Sequence, residues 1–141
     1  MPVEILAPEM ERIASIDLTV EQLGEGYGGS NGPAEGPVWW SDGGHLLFSD
    51  IHNDRIVKWS PRDGETTFLS PCDRTNGLTR DPLGRLVACE HDTRRVTRRE
   101  HDGSITVIAN SYKSRQLNRP NDVAVRSDGS IYFTDPFGRP A

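Results

Sequence analysis

The sequence predicts an all-β fold, on three observations. Gly (14) and Pro (10) are frequent for 141 residues, which favours short strands joined by many turns. Apolar residues alternate over short runs, and the repeated segments lack the 3.6-residue period of an amphipathic helix. Above all, one phrase recurs three times: "SDGGHLLFSD" (41–50), "RDPLGRLVACE" (80–90) and "RSDGSIYFTD" (126–135). Each joins a tight turn holding Asp and Gly to an alternating strand, and each closes on an acid.

Those acids, Asp50, Glu90 and Asp135, stand 40 and 45 residues apart. Between them lie second turns, "PRDGE" (61–65) and "EHDGS" (100–104), bordered by strand-like runs such as "RIVKWS" and "SITVIA". Four short strands in about 40–45 residues is the spacing of a β-propeller blade. A β-sandwich would also show short strands, but it has no need of a repeated turn-strand-acid phrase. The expected organisation is a lead-in over residues 1–30, with "EILAPEMERI" and "LTVEQLGEG", then an incomplete propeller over 31–141. Its blades fall near 35–70, 76–110 and 121–141, about two and a half in all.

Composition narrows the function classes. The chain has the size of one domain with one modest core. Lys plus Arg is 16 against 21 Asp plus Glu, a net charge of −5. That balance does not suit a phosphate-binding surface and argues against nucleic acid as a partner. No apolar run approaches the roughly 18 residues of a membrane span. The N-terminus lacks a basic-then-apolar leader, so a cytoplasmic location is expected. Cys72 and Cys89 show no metal-ligand spacing, and Cys89 in "RLVAC" reads as a buried, inert thiol. Arg94, Arg95, Arg98 and Arg99 in "DTRRVTRRE" read as a solvated outer strand. His45, His52 and His101 sit beside turns, and Trp39, Trp40 and Trp59 read as packing between blades.

The residues that carry chemistry emerge when the repeats are registered. Eight residues before Gly43, Gly84 and Gly129 stand Glu35, Asn76 and Asn121. All three offer side-chain oxygen at the entry to the first strand of a blade. First strands line the central channel of a propeller, so equivalent positions converge on one axis. A carboxylate and two amide oxygens aimed at one point suit a hard cation, Ca²⁺ first among them. The competing reading is local turn chemistry, in which each side chain bonds its own backbone.

"EGPVWWSDGGHLLFSDIHNDRI", "NGLTRDPLGRLVACEHDTRRV" and "RPNDVAVRSDGSIYFTDP" closely resemble the SMP-30/gluconolactonase family, above all its bacterial gluconolactonase branch. The resemblance runs from about residue 4 to 136. It implies a six-bladed propeller with one divalent cation on the axis, Ca²⁺ before Zn²⁺ or Mg²⁺. It implies Glu35, in "EGP", as a metal ligand. Asn121, in "RPND", is implied as a ligand or as a group acting beside the metal. It further implies that Arg119 contacts substrate oxygens, and it matches Asn76 to an Asn common in the branch. His91, after an inner strand, is placed to reach the channel mouth beside them.

The activity so implied is hydrolysis of a small sugar lactone. No G-x-S-x-G phrase supports a serine hydrolase. A phosphotriesterase-like hydrolase and a non-catalytic propeller scaffold are the alternatives. Family members are considerably longer, and their further ligands, with the Asp that is the usual base, lie in later blades. The catalytic base is therefore unassigned. The chain is expected to be a truncated form with weak metal binding and little turnover. Exposed blade edges are expected to invite self-association.

Overall fold

The computed structural model describes residues 4–15, 17–29 and 32–137. The end of the third predicted blade, 138–141, and parts of the lead-in lie outside the described residues. A short 3₁₀ turn, Pro8–Arg12, precedes the strands. Strands β1 (Glu35–Trp40), β2 (His45–Asp50), β3 (Arg55–Ser60) and β4 (Gly64–Leu69) form one antiparallel sheet in chain order. Strands β5 (Thr75–Arg80), β6 (Leu86–Glu90), β7 (Arg95–Arg99) and β8 (Ile105–Ala109) form a second of the same topology. A small hairpin, β9 (Ser111–Tyr112) and β10 (Arg115–Gln116), then leads to the pair β11 (Val123–Val125) and β12 (Ile131–Phe133). Among the described residues no helix is long and apolar enough to cross a membrane.

The sheets stack face to face. Leu47 and Ile56 of the first sheet pack with Leu78, Leu86 and Ala88 of the second. Val87, Cys89 and Val96 on the opposite face of the second sheet pack with Val123 and its neighbours in β11–β12. This explains the continuous apolar run "RLVAC". Strand β6 is covered on both faces, so residues of both parities are apolar and every one is buried. Each such Leu or Val, fully buried, contributes roughly 1.5–3 kcal/mol.

The repeat acids hold hairpins and incoming loops. Asp50 is fully buried and accepts from Asn53 Nδ2, from Arg55 Nε and from the Gly28 amide. Glu90 accepts from Arg95 Nε and Thr97 Oγ1. Asp135 accepts from the amides of Asn118 and Arg119. Gly28 brings the lead-in onto the first sheet, where Tyr27 stacks edge-on against Phe48 at 4.8 Å and bonds Glu65.

Three details depart from the sequence reading. The left-handed turn glycine of the first repeat is Gly44 (φ 57°), the counterpart of Gly84 and Gly129, not Gly43. The arginine-rich segment is not an outer strand, because β7 lies between β6 and β8. Two of its arginines are held by acids, Arg95 by Glu90 and Arg98 by Glu100. Trp40 does pack between sheets, under the Arg80 guanidinium at 5.1 Å, but Trp39 is 53% exposed.

Candidate functional site

Cross-strand pairing fixes the register of the repeats without reference to turn length. Val38 pairs with Leu47, Thr79 with Val87 and Ala124 with Tyr132. Each partner lies three residues before its repeat acid. Counting back three from Val38, Thr79 and Ala124 reaches Glu35, Asn76 and Asn121. The first hairpin loop is simply one residue longer. A β-bulge lies beside the candidate residue in both full sheets, between Glu35 and Val38 and, one residue earlier in register, between Thr75 and Leu78. Bulges re-aim the side chains beside them.

Two glycines let these entries approach one another. Gly36, directly after Glu35, lies against the Asn76 carbonyl, and an added Cβ would fall 2.8 Å from the Leu78 amide nitrogen. Gly77, directly after Asn76, stands in the same relation to the next sheet. A Cβ there would fall 2.6 Å from the Asn121 carbonyl oxygen and 2.7 Å from Asp122 Cα. The Gly77 amide donates to that carbonyl at 2.8 Å, and Ser49 Oγ donates to the Asn76 carbonyl at 2.6 Å. The three candidate residues thus sit on adjoining backbones, at the sheet end that carries the repeat acids.

Asn76 is buried, and its Nδ2 faces His91 Nε2 at 3.4 Å. An amide donor there requires Nε2 to accept, which leaves the imidazole proton on Nδ1. Burial lowers the His91 pKa, and the Arg119 charge lowers it further. The ring is therefore neutral at pH 7, and the Asn76 Oδ1 is left as that side chain's available acceptor. Arg119 is exposed, but its backbone is clamped. Asp135 takes the Arg119 amide at 2.8 Å, while Arg94 Nε donates to the Leu117 and Asn118 carbonyls. His91, Asp92, Arg94, Asn118 and Arg119 line one open depression.

The structure thus brings His91, Asn76 and Arg119 to one mouth, and sets the backbones of Glu35, Asn76 and Asn121 side by side. Among the described residues, no hydrogen bond joins the Glu35 carboxylate to either amide side chain, and no group of three His, Cys, Asp or Glu could hold a metal. The oxygens of a carboxylate and of neutral amides still fit a hard cation, whose ligands are commonly of both kinds. The sequence reading misses Gly36, Gly77 and Ser49, and it names Arg94 and Asp135 without their hold on the backbone around Arg119. The signal for the glycines was present, since "EG" and "NG" recur in register.

Stacked four-stranded sheets whose first strands meet at one end define an arc of a β-propeller. Residues 33–138 match the family described as SMP-30/Gluconolactonase/LRE-like region, and the chain belongs to that family. A gluconolactonase of Zymomonas mobilis subsp. mobilis is 28% identical over 92% of the chain. A gluconolactonase structure from Xanthomonas campestris is 40% identical over 73% of it, with a TM-score of 0.68. A second solved structure, of a protein assigned as a gluconolactonase, is 35% identical over 82% of it, with a TM-score of 0.73. A streptogramin B lyase, at 17% identity and a TM-score of 0.58 over 72% of the chain, shares the fold. The chain spans 39% of the Zymomonas protein, 34% of the Xanthomonas structure, 39% of the second gluconolactonase structure and 34% of the lyase.

Proposed function

We propose that the chain is part of a metal-dependent hydrolase of a small sugar lactone. The observation that carries this reading is the shared register of Glu35, Asn76 and Asn121, with Arg119 at the same mouth, in a chain of gluconolactonase type. Glu35 and Asn121 would hold one divalent cation, and Ca²⁺ suits their oxygen donors best. Such a cation, when bound, supplies Lewis acidity to a carbonyl and acidity to a bound water.

The chain's own residues supply the rest. Glu35 contributes an anionic oxygen that offsets part of the cation's charge. Arg119, its backbone fixed by Asp135, offers a guanidinium to substrate hydroxyls or to the charge that develops on the carbonyl oxygen. Neutral His91 accepts from Asn76 and so orients that amide toward substrate. In the net reaction water adds to the carbonyl carbon, the ring C–O bond breaks and the ring oxygen takes a proton.

The test is acid release from glucono-1,5-lactone, corrected for spontaneous hydrolysis, by a full-length enzyme of which these 141 residues form a part. Ca²⁺ should support the rate, a chelator should remove it, and Glu35→Ala should abolish it without unfolding the protein. A rate indifferent to both would contradict the reading. Faster turnover of a phosphotriester than of the lactone would favour the phosphotriesterase alternative, and no turnover of either would favour a binding scaffold.

A further inference from the structure

Because the sheets share one register, the turns at their acid-bearing end can be compared residue by residue. Asp54 and Arg94 are equivalent, each directly before the arginine that pairs across strands with its repeat acid. Both hold the left-handed conformation, at φ 50° and 55°. Both also tie down the loop that enters the next sheet. Asp54 does so as an acceptor, from the Cys72 and Arg74 amides at 3.1 and 2.8 Å. Arg94 does so as a donor, to the Leu117 and Asn118 carbonyls. Arg74 and Arg119 are equivalent in turn, each two residues before its asparagine, Asn76 or Asn121. The first loop therefore sets Arg74 on a carboxylate, whereas the second sets Arg119 in one depression with another guanidinium, that of Arg94.

That depression has a volume of about 380 Å³. Of its lining residues, His91 is neutral and Asn118 is bound to Asp135. Its one carboxylate, Asp92, is paired with Arg74 at 3.5 Å. Among the described residues no carboxylate pairs with Arg94 or Arg119. Arg94 spends its Nε on the loop carbonyls, and among the described residues its Nη groups bond no protein acceptor. We propose that this depression is an anion subsite, in which Arg94 and Arg119 take a carboxylate or phosphate carried by the lactone substrate. Two guanidiniums held in one depression favour an anion between them, and their planar forks match the oxygens of either group. The identity of the substrate as a lactone rests on the function proposed above, whereas the charge of the subsite does not.

Hydrolysis of matched lactones by the full-length enzyme tests this. D-glucaro-1,4-lactone is compared with D-glucono-1,4-lactone, and 6-phosphoglucono-1,5-lactone with glucono-1,5-lactone, so that each pair differs only at C6. At low salt kcat/KM should be about tenfold higher for an anionic member, chiefly through KM, as one charge-assisted hydrogen bond provides. The pair that shows the preference tells carboxylate from phosphate. Arg94→Gln should bring the two members of that pair level, and Arg94→Lys should restore part of the difference. A wild type without preference, or a preference that persists in Arg94→Gln because both members fall equally, would overturn the subsite. An enzyme that hydrolyses none of these lactones would contradict the proposed function instead. Calorimetric titration with D-glucarate, on protein freed of divalent cations, then decides the subsite. Saturable binding that weakens about tenfold in Arg94→Gln would support it, and no binding, or equal binding by the variant, would overturn it.

Discussion

Ser49 on β2 donates its hydroxyl to the Asn76 carbonyl on β5 at 2.6 Å, joining the first sheet to the second beside the candidate cation site. Both groups are buried. Ser49→Ala leaves the carbonyl without this donor and should cost about 1–3 kcal/mol. Urea unfolding should show a lower midpoint at unchanged slope.

The glycines that follow the candidate ligands set how closely the sheets approach. Gly77→Ala drives a methyl group into the Asn121 carbonyl and Asp122 Cα, an overpacking that should cost about 1–3 kcal/mol. Gly36→Ala meets the neighbouring backbone and must also hold φ at 57°, which adds roughly 1–2 kcal/mol. Thermal melting should therefore rank Gly36→Ala below Gly77→Ala, and both below the wild type.

Stability should fall in acid for a stated reason. Burial raises the Asp50 pKa, but hydrogen bonds from Asn53, Gly28 and Arg55 outweigh it and hold the carboxyl below its ordinary value. Hydrogen bonds from Thr106 and Arg98 pull Glu100 down to about 2. Both folded-state values lie below those of an unfolded chain, about 4. The contribution is thus complete above that value and is lost as pH falls toward the folded-state values. The urea midpoint should hold between pH 7 and 5 and drop steeply below pH 4.

The Arg119 loop should loosen when its clamps are removed. Asp135→Ala takes the acceptor from two backbone amides, and Arg94→Ala takes the donor from two carbonyls. Amide exchange at Asn118 and Arg119 should accelerate in Asp135→Ala while exchange in β2 and β3 stays slow. Uniform acceleration across the chain would instead mean global destabilisation.

Both thiols should be inert while the chain is folded. Burial pushes Cys72 up to about 11 and Cys89 up to about 12. A thiol reagent at pH 8 should label neither within minutes, and both at once in denaturant.

Much of this architecture was legible in the sequence because a repeat converts local signals into a global one. "DG"-type turns and alternating runs marked the strands, and the recurring acids marked the period. The register of Glu35, Asn76 and Asn121 was legible although Gly43 was a faulty anchor. The one-residue longer loop before Gly44 offset the one-residue displacement of the anchor. What could not be read was long-range geometry. Nothing local ties Asp135 to the Asn118 amide or Arg94 to the Leu117 carbonyl, since these bonds join separate segments. The exposure of Trp39 was hidden for the same reason, because alternation along a strand shows that a face is apolar but not what covers it.

The central claim is that Glu35 and Asn121, with Asn76 on the adjoining backbone between them, form the oxygen-rich end of a cation site. Calcium titration of the isotopically labelled chain, followed residue by residue by NMR and compared with Glu35→Gln, tests it most directly. The account predicts weak, saturable shifts centred on Glu35, Gly36, Asn76, Gly77 and Asn121. The Glu35→Gln variant should bind more weakly by at least the roughly 10- to 100-fold that loss of a supporting group costs. Equal affinity in the variant, or shifts centred on distant acidic turns such as those at Asp42 and Asp102, would contradict it.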